Sequence, residues 1–470
     1  MRTLTALLAA ALLPAALRAQ APANPLQPYI SVDSPVVAIT NVTVIDGTGA
    51  APQPGTTVVM QRGRITAVGK SITVPAGALV IDGHGKTLIP GMVGMHDHLF
   101  YTAAGGREVS VASTGPRLYL ASGVTTIRTT GTNSPYSDIN TKRDIDAGRR
   151  VGPHIFITAP YITGELHTGS PDMAVVTTPD AARRFVDYWA AEGATWIKAY
   201  TDISRENLGA TIAEAHRRGI KVTGHLCSVT YQEAVGLGID NLEHGMLAAS
   251  DFYPGKQPDV CPLDSYQVIA KGDPASSAGQ ATIKSMVDHH VPMTSTLPVV
   301  EALCSNRPVR DQRTLDMMAP EVRADYLKSR DFIDSSKTWP FTAEALHHMM
   351  QFERAFVAAG GLLAAGVDPT GNGGALPGFG DQRGYELLRE AGFSAEQAVQ
   401  IVSLNGAKIL GVQDRFGSIE QGKEADLVLL DGDLVANPAV IRNVVTVFKG
   451  GVGFDPAKVI APAQGRVGIN

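Results

Sequence analysis

The stretch Thr87-Leu88-Ile89-Pro90-Gly91-Met92-Val93-Gly94-Met95-His96-Asp97-His98 decides how the rest of the chain is read. Its apolar part predicts a strand. Alternate residues of a strand point to the same face, so His96 and His98 project together. Two imidazoles on one side of a strand end are half of a divalent metal site. Such pairs also occur on exposed strands, so the weight of this one depends on what the chain supplies elsewhere.

Working outward, the chain supplies further ligand types, each at the end of a short apolar run. Lys198 lies in Thr195-Trp196-Ile197-Lys198-Ala199-Tyr200. A lysine buried there carries a desolvation cost unless it is paired, chemically changed or able to snorkel to the rim. His225 closes Lys221-Val222-Thr223-Gly224-His225, and His244 follows Asn241-Leu242-Glu243. Asp368 closes Leu362-Leu363-Ala364-Ala365-Gly366-Val367-Asp368. Each alone could be a hydrogen-bonded rim residue. Together they put metal-ligand chemistry at the ends of the first, fourth, fifth, sixth and eighth strands.

That count comes from apolar strands predicted over 123–129, 155–159, 195–200, 220–225, 241–244, 291–297 and 362–368, plus the run before His96. Amphipathic helices are expected between many of them, notably over 181–191 and 205–218. Strand–helix alternation with continuous apolar strands implies a parallel sheet in an α/β fold. Eight units over 91–411 fit a (β/α)8 TIM barrel, whose active site lies at the carboxyl ends of the strands. An open doubly wound sheet is the alternative, but no glycine-rich nucleotide loop follows a strand. Short alternating segments over 36–46, 57–60 and 64–69 read as an antiparallel sheet. Similar segments recur over 425–430 and 444–448, so a small β-sandwich domain built from 30–90 plus 412–470 is expected. Residues 249–280 and 303–341 read as long irregular loops overhanging the barrel mouth.

The chain has 470 residues, a hydrophobic fraction of 44%, a charged fraction of 18% and a net charge of −5, without long runs of either sign. A nucleic-acid partner is therefore not expected. Arg2, the short apolar run after it, Pro14 and the small residues near Ala19 and Ala21 read as a bacterial-type signal peptide over 1–21. The expectation is a secreted or periplasmic protein with no membrane association after cleavage. An oxidising compartment permits a disulfide. Of Cys227, Cys261 and Cys304, the last two flank one irregular region and are the expected pair, leaving Cys227 as a small apolar filler.

With these motifs on the page, the chain resembles the amidohydrolase superfamily in its two-metal form, over about 36–455. The resemblance rests on the His96-Asp97-His98 entry, Gly123-Val124-Thr125-Thr126-Ile127-Arg128 and Glu243-His244-Gly245. It continues in Ser403-Leu404-Asn405-Gly406-Ala407-Lys408-Ile409-Leu410-Gly411 and in the return from Gly417 to Asp431. The flavour is that of the imidazolonepropionase-like and Xaa-Pro dipeptidase-like group. The resemblance implies that Lys198 is carboxylated by CO2 and bridges two divalent metal ions. His96, His98 and Asp368 would bind the more buried metal, and His225 and His244 the more exposed one. Zinc suits such a mixed imidazole and carboxylate set, with Mn, Co and Fe left open. A metal-bridging hydroxide would be the nucleophile, and Asp368 would act as general base and then acid.

The substrate-facing candidates are Tyr200, two residues beyond Lys198, and His167 on the loop after the third strand, with Arg128 at the end of the second. Rim packing is the alternative for the first two, while for Arg128 a supporting role behind the ligands is favoured over holding a substrate carboxylate. Tyr231 reads as part of the helix after His225, and His289-His290 and His347-His348 as surface positions on helices. The function expected is hydrolysis of a C–N bond in a small amide such as a dipeptide or N-acyl amino acid, by a homo-oligomer. Ester, lactone or phosphotriester hydrolysis and ring deamination use the same chemistry, and a non-catalytic binding protein is a third class.

Overall fold

The computed structural model describes residues 24–103, 107–165, 172–307 and 310–469. The signal peptide expected over 1–21 and His167 lie outside them.

The opening apolar run is not one strand but two. Lys86–Pro90 and Met92–Asp97 are separate strands that meet at Gly91 and belong to different sheets. Proline ends the first, since it cannot donate to a ladder. At Gly91 a Cβ would lie 2.1 Å from Thr125 Oγ1, so only glycine permits that close approach.

The first sheet has nine strands drawn from both ends of the chain. Its order is Ile30–Val32, Val452–Phe454, Val444–Lys449, Leu427–Asp431, Lys86–Pro90, Val36–Val44, Gln53–Gln61 and Arg64–Gly69, with Leu79–Asp82 paired to Val36–Val44. It is mixed, not purely antiparallel as the alternating segments suggested. Val36–Val44 runs parallel to both Leu79–Asp82 and Lys86–Pro90. Ile39, Val42, Val58, Leu88, Leu427 and Phe448 are fully buried on it.

The remaining main strands are all parallel. One sheet orders His154–Phe156, Val124–Thr129 and Met92–Asp97. The other orders Ala174–Val175, Thr158–Thr163, Trp196–Ala199, Lys221–Gly224, Asn241–Glu243, Met293–Ser295 and Leu363–Ala365. Two links join them. Thr158 N donates to Thr129 Oγ1 at 3.0 Å. On the other side, Asp368 N donates to His96 O at 2.8 Å, and Gly366 packs so tightly that a Cβ would lie 2.2 Å from His96 N. The carboxyl end of the last strand is thereby fastened to that of the first.

Helices fill the connections where periodicity predicts them. Pro179–Ala191 starts with proline, which lacks an amide that would have no partner there. Thr178 caps it by accepting from Ala181 N at 3.2 Å, and Ala182 and Val186 are buried against the sheet. Arg205–Arg217 likewise matches its expected helix.

The two segments read as irregular are partly helical. The first contains Ser265–Ile269 and the start of Ser277–Asp288; the second contains Gln312–Met317 and Pro320–Ser335. Pro320–Ser335 buries Val322, Tyr326, Arg330 and Ile333, a helical stripe concealed in sequence by the charged residues around it. Arg330 donates to Ala302 O at 2.7 Å and Cys304 O at 2.8 Å, which pins the helix to its neighbours.

The cysteine pairing also differs from expectation. Cys227 and Cys261 form the disulfide, with Cα atoms 5.0 Å apart, and Cys304 is free and buried. Cys304 follows the helix Leu297–Leu303, and its thiol donates inward to Val300 O at 3.3 Å. The insertion carrying Cys261 instead folds back over the loop after His225.

Candidate metal centre

His96 and His98 lie at and just past the end of Met92–Asp97, both buried. Each ring is held through Nδ1. For His96 the partner is Glu243 Oε2 at 2.7 Å, and for His98 it is Gly131 O at 3.1 Å. This leaves both Nε2 atoms facing Asp368, His98 at 3.4 Å and His96 at 3.7 Å. Fixing one ring nitrogen so that the other is presented is how metal-binding histidines are oriented.

His244 and Asp368 reach the same place through unusual backbone. Their φ angles are 70° and 50°, in the left-handed region that side chains rarely adopt. Such a conformation costs on the order of 1–3 kcal/mol and is concentrated at functional sites. It breaks the strand alternation after Glu243, so that Glu243 and His244 both serve the site. His244 Nδ1 lies 3.5 Å from Asp368 Oδ2 and 2.9 Å from Thr296 Oγ1. Its ring is 4.4 Å from that of His96 and 4.3 Å from that of His225, centroid to centroid. Among the described residues, His96, His244 and Asp368 offer ligand atoms all within 4.8 Å of one another.

Lys198 is buried on Trp196–Ala199, and its Nζ has no hydrogen-bond partner among the described residues. Burial pulls its pKa down to about 8 against the attraction of Glu243 and Asp368. Burial likewise brings His225 down to about 3, with the Lys198 charge adding to it, and holds His96 and His244 well below the usual imidazole range. For Asp368, burial acts to raise the pKa, but His96 and His98 outweigh it and keep the carboxyl ionised. Four imidazoles, a carboxylate and a buried lysine make a donor set suited to cations.

Arg128 does not face the space between these side chains. It is fully buried behind the ligands, where Nη2 donates to Glu243 Oε1 at 2.5 Å and to Met95 O, with the guanidinium 4.6 Å from the Trp196 ring. Burial would raise Glu243, yet Arg128 and then Lys198 hold it low. Glu243 also accepts from Asn241 Nδ2 at 2.9 Å and from Thr223 Oγ1. In sequence Glu243 is marked only as an acid inside an apolar strand, two residues from another polar group, Asn241.

Above the ligands is a cavity of about 440 Å3. Tyr200 lines it, its ring 4.8 Å from that of His225 and 5.3 Å from that of Tyr161. Tyr266, Trp339 and Phe341 reach it from the two insertions. The Tyr266 hydroxyl bonds His225 Nε2 at 2.8 Å. No local pattern marks these three residues. Tyr231 begins the helix Tyr231–Gly236 and donates to Gly245 O at 3.1 Å. His289, His290 and His347 are exposed, and His348 is half-buried. A second group, His154, Glu424 and Asp426, also brings ligand atoms within 4.8 Å, but there Arg415 already pairs with Glu424 at 2.7 Å.

Residues 87–314 and 325–453, which carry every one of these ligands, match the model of the amidohydrolase family. The chain belongs to the amidohydrolase family. A solved Xaa-Pro dipeptidase with bound methionine in the active site has the same fold, with a TM-score of 0.68 at 21% identity over 89% of this chain and 100% of that one. A 5-methylthioadenosine/S-adenosylhomocysteine deaminase of Teredinibacter turnerae is 31% identical over 83 residues, 16% of this chain and 19% of that protein. An imidazolonepropionase of Picrophilus torridus is 43% identical over 49 residues, 10% of this chain and 12% of its own length. This amidohydrolase-family chain thus spans less than a fifth of the curated relatives named here, and nearly the whole of the dipeptidase fold.

Proposed function

We propose that the chain is an exported, binuclear metal-dependent amidohydrolase that cleaves an amide or peptide C–N bond in a small substrate such as a dipeptide or N-acyl amino acid. The proposal includes a (β/α)8 barrel over 91–411, with a β-sandwich domain formed by 30–90 and 412–470. The observation that carries it is the buried, unpartnered Lys198 Nζ on the floor of a cavity ringed by His96, His98, His225, His244 and Asp368. A buried ammonium beside four imidazoles, attracted by Glu243 and Asp368 but hydrogen-bonded to no described residue, is costly, whereas carboxylation by CO2 makes Lys198 an anion that completes a cation site.

Two divalent ions, zinc by preference, held by these six residues would supply Lewis acidity and a water that ionises near neutral pH. The chain's own groups do the rest. Asp368 is ionised, and Thr370 Oγ1 donates to its Oδ1 at 2.7 Å, so one oxygen is steadied while the other is free to take a proton. That proton is then delivered to the departing amine, which makes Asp368 base and then acid. Burial raises the pKa of the Tyr200 and Tyr266 hydroxyls, so both stay protonated as donors to a developing oxyanion.

The name of the similar Xaa-Pro dipeptidase favours this class. Export accords with the leader read over 1–21 and with the Cys227–Cys261 disulfide. A homo-oligomer belongs to the same proposal and is read by light scattering.

Metal analysis of the purified protein, with a panel of dipeptides (X-Pro included) and N-acyl amino acids, tests it. About two metals per chain with amide cleavage is the expected result. Two metals without amide cleavage redirects the reading to esters, lactones, phosphotriesters or ring deamination. No metal under replete conditions overturns it.

A further inference from the structure

Among the described residues, the cavity contains one charged group that the hydrolytic scheme leaves unused. Glu108 lines its wall, and its Oε2 is buried without a hydrogen-bond partner among the described residues. It sits on the strand Arg107–Ser110, directly opposite Thr102 on Phe100–Ala103, and Thr102 lines the same cavity. That hairpin follows His98 immediately, and the Phe100 ring packs 4.6 Å from the His98 ring. The carboxylate is therefore held on a strand paired with the one that leaves His98. It is also close enough to Tyr161 and Tyr200 for its charge to raise both hydroxyls further, beyond the effect of burial.

Much of the rest of the wall is aromatic, from Phe100, Tyr161, Tyr200, Tyr266, Trp339 and Phe341, with Met173, Leu247, Val299 and Leu303 adding apolar surface. A carboxylate among such surfaces is costly unless it is neutral or meets a donor. Aromatic faces attract cations, and an ammonium set between them and a carboxylate satisfies both. The apolar area of the same rings suits a hydrophobic side chain.

We propose that Glu108 is the partner of a substrate ammonium, so that the cavity selects small amides bearing a free amino group beside a hydrophobic side chain, unblocked dipeptides or aminoacyl amides, over N-acylated ones. This rests on the reading of the cavity as an amide-hydrolysing site and narrows its substrate class. Within the dipeptide and N-acyl alternatives, it chooses the first. Burial and the nearby Asp172 carboxylate raise Glu108 to about 7, so its charge is developed at pH 8.

Binding separates this proposal from the hydrolytic reading. The metal-loaded full chain is titrated calorimetrically at pH 8 with 2-phenylethylamine and with its uncharged counterpart N-(2-phenylethyl)acetamide. The amine should bind about tenfold more tightly. Glu108→Gln should bind the two alike, and Glu108→Asp should keep a preference for the amine. Equal affinities in the unaltered protein, no binding of the amine, or a preference that survives Glu108→Gln overturns the role of Glu108, whatever the protein hydrolyses. Failure to cleave any amide while the Glu108-dependent preference holds would instead count against the hydrolytic reading alone.

Discussion

The Tyr266 hydroxyl lies 2.8 Å from His225 Nε2, so an insertion outside the parallel strands touches a proposed ligand directly. The same insertion is anchored by the disulfide from Cys261 to Cys227, and Cys227 stands two residues past His225. Insertion and strand end are thus joined covalently and by a hydrogen bond, and the insertion is part of the cavity wall.

In the metal-free protein this hydroxyl competes for the nitrogen that a cation would use. A net hydrogen bond is worth about 1 kcal/mol, or roughly fivefold in an equilibrium constant. Tyr266→Phe should therefore bind the metal contacting His225 about fivefold more tightly, read by competition with a chromogenic chelator. Unchanged affinity would mean that the hydroxyl keeps an equivalent bond in both states.

Reducing the disulfide should loosen that wall. Its sequence separation is 34 residues, and cross-linking a loop of that size stabilises by about 3–4 kcal/mol in the chain-entropy picture. The double variant Cys227→Ser/Cys261→Ser should show a lower urea midpoint and a KM raised more than kcat is lowered. Thiol titration of the unaltered protein in denaturant should find a single thiol, that of Cys304.

Lys198→Ala should abolish activity and lower metal content, because in the proposed scheme it removes the carboxylated side chain that helps hold both cations. A short carboxylic acid diffusing into the vacated space should restore part of both. Normal metal occupancy and turnover in that variant would exclude a bridging role.

Glu353 offers a test of stability against pH. It is fully buried, its Oε2 accepts from Ser295 Oγ at 2.9 Å, and burial pushes its pKa up from 4.5 to about 8. A raised carboxyl pKa means that the folded state holds its proton where the unfolded state has lost it. The associated stability is complete below about 4.5 and is lost as pH rises through about 8. Glu353→Gln should match the unaltered protein at pH 5 and be a few kcal/mol more stable at pH 9 in urea titrations.

Much of the architecture is legible locally. Apolar runs of strand length, separated by helical periodicity, identify the parallel strands to within a few residues. The ligand types stand at their ends, where side chains can face a common cavity. Even so, the run from Thr87 to Met95 reads as one strand, because nothing in a continuous apolar pattern reports that Pro90 and Gly91 divide it between two sheets.

What sequence alone determined is therefore the α/β strand–helix order and the residues His96, His98, Lys198, His225, His244 and Asp368 at the strand ends. These follow from periodicity and side-chain chemistry over a few residues. Tertiary structure decided that Cys261 meets Cys227 and not Cys304, that Arg128 and Glu243 support the proposed ligands from behind, and that Tyr266, Trp339 and Phe341 close over them. It also set Glu108 facing the cavity. Each of these depends on which distant segments pack together, a choice fixed by burial and backbone hydrogen bonding over the whole chain.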